Sequence, residues 1–237
     1  MDISVLVFTA ASLGFIHTLV GPDHYLPFLA IGKARGWKLG RTLALTGVCG
    51  AGHVLGSVVI GVAGLAIGAG VASLEPLESR RGDIAAWLLT TVGFFYMIWG
   101  IKRAVTGKKH VHRHFHSDGT MHDHDHDHMS AEHGHLHEDG ARGKKSITPW
   151  VLFIIFVLGP CEPLIPVLMY PAATRSAGGL ALVTAAFCLT TIATMLAAVA
   201  FAWKGLSFMP GKRFERYTHA IAGGVLFISG AGIVAGL

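Results

Sequence analysis

Residues His17 to Leu29 read HTLVGPDHYLPFL, which places two histidines and an aspartate in an otherwise apolar run. An ionisable side chain in hydrocarbon costs on the order of 2.5–3.5 kcal/mol on insertion scales, and it persists where it lines a cavity or a pathway. The same stretch carries Gly21-Pro22 and Pro27, which stop a straight helix by removing backbone donors. A polar, broken segment inside an apolar run is tolerated at membrane depth only where the freed backbone groups face protein or water. The rest of the chain is read outward from this stretch.

The surrounding composition is that of a membrane protein. Of 237 residues, 52% are hydrophobic and 14% charged, with a mean hydropathy of +0.54, whereas a soluble domain carries roughly a quarter charged residues. Apolar runs near the ~20 residues needed to cross a bilayer fall at 3–31, 42–70, 84–101, 149–171, 179–203 and 217–237. The sequence therefore predicts an all-α polytopic fold of six transmembrane helices. The first apolar run has no Lys or Arg ahead of it and is read as a retained helix rather than a cleaved signal. Sixteen of the nineteen Lys and Arg residues fall in the connections after the first, third and fifth spans. By the positive-inside rule both termini face out and the long third connection is cytoplasmic, as expected for a cell inner-membrane protein. The net charge of +5 is explained by this orientation and needs no nucleic-acid partner.

The two halves resemble each other. GPDHYLPFL from Gly21 and GPCEPLIPVL from Gly159 share Gly-Pro, two potential ligands, prolines and leucine, and Cys49 and Cys188 follow their Gly-Pro pairs by 28 and 29 residues. Three spans per half is an odd number, so the halves are inverted relative to each other. The expectation is a 3+3 inverted repeat with broken helices 1 and 4: a first three-helix repeat at 1–101, a loop at 102–148 and a second repeat at 149–237. Inverted repeats with matching breaks are the signature of a secondary transporter whose site lies between them.

In each break, glycine ends one half-helix and proline suits the first position of the next, so Asp23, and equally Cys161, would sit near a positive helix N-terminus. Asp23, His24, Cys161 and Glu162 are expected to face one another, with His53 entering at the depth of His24. Imidazole, carboxylate and thiolate together suit Ni²⁺, Co²⁺ or Zn²⁺, while Mg²⁺ and Ca²⁺ take oxygen ligands. On a straight helix His17 and His24 would lie about 10.5 Å apart along the axis. Either the break folds them together, or His17 belongs to an adjacent step. Cys49 and Cys188 are read as helix-packing residues and His219 as interfacial.

The third connection holds His110, His112, His114, His116, His122, His124, His126, His128, His133, His135 and His137, interleaved with aspartate. It has too few apolar residues for a core and is expected to be disordered without ligand. Its imidazoles are mostly unprotonated at neutral pH and available to Ni, Co, Zn or Cu.

These residues resemble the nickel/cobalt transporter superfamily, which includes NicO-type efflux proteins and urease-accessory transmembrane proteins of the UreH type. HTLVGPDH is close to that superfamily's H-x4-DH signature, with one extra residue after His17; His53 in CGAGHVLGS and the His-rich loop add to the likeness. The resemblance implies movement of Ni²⁺ or Co²⁺ across the bacterial inner membrane. A weaker likeness is to the cytochrome c biogenesis/DsbD transmembrane family, through GPCEPLIPVLMY. That thiol-disulfide chemistry needs paired cysteines, and Asp23 stands where the partner of Cys161 would be; Cys49 and Cys188 are the other symmetric pair.

The reading is thus a transporter of a divalent transition metal, nickel or cobalt first and zinc next, with export slightly favoured. It is not an enzyme, has no permanent cofactor and lacks a phosphate-binding loop motif. Its partners are the cation and the bilayer, with a cytoplasmic metallochaperone and a second copy of the chain also compatible. The alternatives are a membrane thiol-disulfide electron carrier and a membrane metal sensor or metalloenzyme assembly factor.

Overall fold

The computed structural model describes residues 2–68, 71–106, 110–115, 121–126, 148–161, 163–167, 176–207 and 216–236. Its body is a bundle of helices. Helix α1 (Ile3–Val20) ends at Gly21; a 3₁₀ turn (Pro22–His24) and α2 (Leu26–Ala34) complete the first segment. Helices α3 (Leu39–Ala66) and α4 (Val71–Thr106) follow. The second half comprises α5 (Thr148–Leu158), a helical turn α6 (164–167), α7 (Ala177–Ser207) and α8 (Thr218–Val234).

Among the described residues, four helices are long and apolar enough to cross a membrane: Ile3–Val20, Leu39–Ala66, Leu74–Thr106 and Ala177–Leu206. This differs from the expected six. Gly159-Pro160 stops α5 after 11 residues, and α8 has 17, so these two apolar helices are too short to qualify alone. The outward faces are apolar: Phe8, Val20, Phe201 and Ile228 are each at least 70% exposed. A solvent-facing surface of that kind would aggregate, while one facing lipid meets its own kind. The chain is a multi-pass membrane protein.

Two sequence expectations are corrected. Span three does not begin at Ile84: α4 starts at Val71 and contains Pro76, so Arg80 and Arg81 are helical and not part of a loop. Asp23 lies in a 3₁₀ turn and not in the first turn of an α-helix, because Pro22 and Pro27 leave too few donors between them for α-helical bonding.

Parts of the His-rich connection also depart from disorder. His110–Phe115 and Met121–His126 pair as antiparallel strands β1 and β2, with His110 opposite His126, His112 opposite His124 and His114 opposite His122. The period-two alternation of the sequence matches the strand period. His116, His128, His133, His135 and His137 lie outside the described residues.

The packing ties the halves together. α4 runs against α8 at backbone contact: a Cβ on Gly93 would sit 2.3 Å from the Phe227 nitrogen, and one on Gly223 would sit 2.2 Å from that of Met97. Small residues let helices approach this closely where lipid supplies no hydrophobic drive. α1 packs on α7, and α5 on α3. One buried cluster joins Phe28 and Ile31 of α2 to Leu152 and Phe156 of α5 and Met195 of α7. A second joins Cys161 and Leu164 to Ala10 of α1 and Phe187 of α7. Each broken segment therefore packs against the opposite half.

Candidate metal centre

The break after α1 turns the chain back on itself. His17 sits near the end of α1 and His24 at the end of the 3₁₀ turn, and their ring centroids are 4.7 Å apart. The alternative left open by the sequence is resolved: the break folds the two histidines together. His53 arrives from the middle of α3, its ring 5.2 Å from that of His24. His24 and His53 are 4% and 3% exposed. The three rings line a cavity of about 1150 Å³ together with Asp23, Gly159 and Pro160.

Two of the rings, those of His53 and His24, are oriented by hydrogen bonds at Nδ1. His53 Nδ1–H donates to the Phe156 carbonyl at 3.2 Å. His24 Nδ1–H faces the Gly21 carbonyl at 3.1 Å and Asp23 Oδ1 at 3.3 Å. Carbonyls and carboxylates only accept, so Nδ1 carries the proton in both, and in the neutral ring Nε2 keeps its lone pair. The Nε2 atoms of His17, His24 and His53 are all buried without a hydrogen-bond partner. A buried polar atom left unpaired costs roughly 1–3 kcal/mol, and three adjacent ones are the pattern of a cation site. An imidazole pinned at one nitrogen and open at the other is the usual form of a metal-binding histidine.

Cys161 completes the group. It follows Gly159-Pro160 and is fully buried, and one donor atom each from His17, His53 and Cys161 lie within 4.8 Å of one another. Such a set could close around an ion of the Ni²⁺, Co²⁺ or Zn²⁺ class with small side-chain movements. His24 flanks it, touching both other rings. Asp23 is outside that group of three and borders it: its carboxylate sits on His24 and orients that ring. Glu162 lies outside the described residues.

The carboxylate found beside Cys161 is one that sequence reasoning missed. Glu78 of α4 has no exposed surface. Its Oε2 accepts from Ser57 Oγ at 3.1 Å and from the Cys161 N–H at 3.4 Å, and its Oε1 accepts from Arg81 Nη1. Arg81 Nη2 donates to the carbonyls of Val157, at 2.7 Å, and Gly159, at 3.5 Å. The available signal was the three-residue spacing of Glu75, Glu78 and Arg81 beside Leu74 and Leu77, which is a helical stripe; the apolar runs alone had left 71–83 as a connection between the second and third spans.

The other named residues are accounted for. Cys49 is buried among Phe28, Leu152 and Met195. His219 Nδ1 lies 2.7 Å from the Tyr96 hydroxyl, and its ring packs on Trp99.

Residues 47–232 match the family model described as cytochrome C biogenesis protein transmembrane region. The chain belongs to that family. No curated protein and no solved structure matches it. The match carries the weaker of the two resemblances, that to the cytochrome c biogenesis/DsbD proteins, and gives no support to the nickel/cobalt one. Within this cytochrome c biogenesis family member, the matched residues include His53, Glu78, Arg81 and Cys161. They begin after the first break, so His17, Asp23 and His24 lie outside them.

Proposed function

We propose that this family member is a membrane carrier for a divalent transition-metal cation, nickel or cobalt first and zinc next, bound between its two halves. The observation that carries the reading is three imidazoles with buried, unpartnered Nε2 atoms, His24 touching the rings of both His17 and His53, with Cys161 in reach of His17 and His53. A cation held by His17, His53 and Cys161 would remove the penalty of two of the orphaned nitrogens at once. Binding would deprotonate Cys161, since thiolate is the ligating form. The pairing of α1 with α7 and of α5 with α3 is what an inverted 3+3 arrangement would produce. In this reading the termini face out, and the His-rich connection gathers metal on the cytoplasmic side for export.

The family match favours a second reading, a thiol-disulfide electron carrier. Cys161 and Cys188 are both free and are the pair this reading would use. Their oxidation to a disulfide would release two electrons and two protons to an acceptor thiol-disulfide couple. That pair would replace the Cys49–Cys188 pair suggested by sequence symmetry. Against it stands the chemistry around Cys161: imidazoles on one side and, at the matching position of the first break, Asp23 in place of a second thiol.

The deciding experiment is uptake of radioactive nickel or cobalt into proteoliposomes containing the full chain. Flux that is lost in His53→Ala and reduced in Cys161→Ala supports the carrier. Absence of flux in wild type, together with reductant-dependent labelling of Cys161 and Cys188, gives the protein to the redox reading. A chain lacking residues 109–142 separates a third class: a carrier keeps flux, whereas a metal sensor or assembly factor loses its function with the loop.

A further inference from the structure

At the second break the helix loses two consecutive rungs of its hydrogen-bond ladder. Pro160 has no N–H to offer the Phe156 carbonyl, which instead accepts from the Gly159 N–H at 3.1 Å and from His53. The next rung, from the Cys161 N–H to the Val157 carbonyl, involves no proline and could form in a helix that simply kinked. It does not form. Arg81 takes the Val157 carbonyl and Glu78 takes the Cys161 N–H, so the buried ion pair is inserted into that rung, one charge on each half. Side chains inserted into the i→i−4 ladder are a recognised cause of sharp helix breaks. Ser57 braces the pair from α3 by donating to Glu78 and accepting from Arg81 Nη1 at 3.3 Å. The space is reserved for it: a Cβ on Gly56 would come within 2.7 Å of Arg81 Nη2.

From this we infer that Glu78, Arg81 and Ser57 are positioning residues for the Cys161 thiol: the inserted pair holds the rung open so that Sγ points at His17 and His53. Charges suit this task better than an apolar wedge, because the two rung ends are a bare acceptor and a bare donor and each meets a group of opposite polarity. Guanidinium is the apt cation, since its fork reaches the carboxylate and the carbonyl together, which an ammonium cannot do with the same geometry. If the pair is removed, the Cys161 N–H can return to Val157, α5 gains a residue past the proline, and the thiol swings off the imidazoles.

The inference rests on the metal-carrier reading, and the test separates the two. The full chain is purified in detergent and titrated with Co²⁺ alone, reading both total binding and the thiolate-to-cobalt charge-transfer absorption. Wild type should bind Co²⁺ with the charge-transfer band, and Cys161→Ser should bind it without the band. Glu78→Gln and Arg81→Lys should bind Co²⁺ through the histidines while losing the band to the level of Cys161→Ser, with helical circular dichroism unchanged. Arg81→Lys keeps the charge balance, so it tests geometry even if Glu78→Gln folds poorly. A band of wild-type intensity in either folded variant overturns the inference and leaves the reading intact. Absence of Co²⁺ binding in wild type overturns the reading. The positioning role then stands or falls on maleimide labelling of Cys161 in a Cys49→Ser/Cys188→Ser background: it stands if the labelling rate changes in Arg81→Lys and falls if it does not.

Discussion

The two helix breaks begin with the same dipeptide and are held in different ways. At the first, the carbonyl of Leu19, two residues before glycine, accepts from the hydroxyl of Tyr25 at 3.4 Å, and Gly21 accepts from His24; every partner comes from the same segment. At the second, the corresponding carbonyl of Val157 and that of Gly159 are held by Arg81 from α4, and Phe156 is held by His53 from α3. The first break is held by hydrogen bonds within its own segment and supplies two of the three imidazoles, His17 and His24. The second is bolted to two other helices and supplies the thiol. A shared Gly-Pro dipeptide therefore does not imply matching mechanics: one break is held from within its own segment and the other by side chains of α3 and α4.

That asymmetry makes graded predictions. The largest effect is expected for Arg81→Met, which leaves Glu78 buried without its partner and should destabilise the protein by about 3–5 kcal/mol, read as the loss of unfolding free energy in detergent. The double variant Glu78→Leu/Arg81→Met should recover most of that loss while still failing to hold Cys161; if the double is as unstable as the single, the cost lies elsewhere than in the orphaned charge. Next comes His53→Ala, which removes a direct donor and uncaps Phe156. Cobalt affinity should fall beyond the roughly 100-fold reached by losing an orienting partner, as measured by competition titration. Asp23→Asn removes only the carboxylate that orients His24 and should cost about 10–100-fold in the same titration; an unchanged affinity would mean that the Gly21 carbonyl suffices. The smallest effect should come from Tyr25→Phe, which deletes one long hydrogen bond at the self-held break and should cost about 0.5–1.5 kcal/mol. Equal losses in Tyr25→Phe and Arg81→Met would erase the difference between the two breaks.

Much of the site was legible in the residues themselves. His17, His24, His53 and Cys161 stand out because polar groups in apolar runs are expensive, and Gly-Pro pairs mark breaks because the missing donor is a local property. The role of Asp23 is not legible in the sequence, because a carboxylate one residue from a histidine can either ligate or orient, and that choice depends on how the turn folds. Glu78 and Arg81 were hidden for another reason: they fall in the connection left between two apolar runs, and burial of an ion pair is visible only once its partners from α3 and α5 are placed. Where six apolar runs were read, four helices among the described residues are long enough to cross a membrane, because apolar length along the sequence does not say where a helix stops.

Composition and local chemistry alone determined that this chain lives in a bilayer, that two of its segments are broken and which side chains are costly there, because each of those is a property of a residue and its immediate neighbours. Tertiary structure decided which of those side chains meet. It folded His17 onto His24, brought His53 across from α3 and inserted Glu78 and Arg81 into a rung of another helix. Such meetings depend on helices distant in sequence sharing one place in space, a relation that spacing along the chain does not encode.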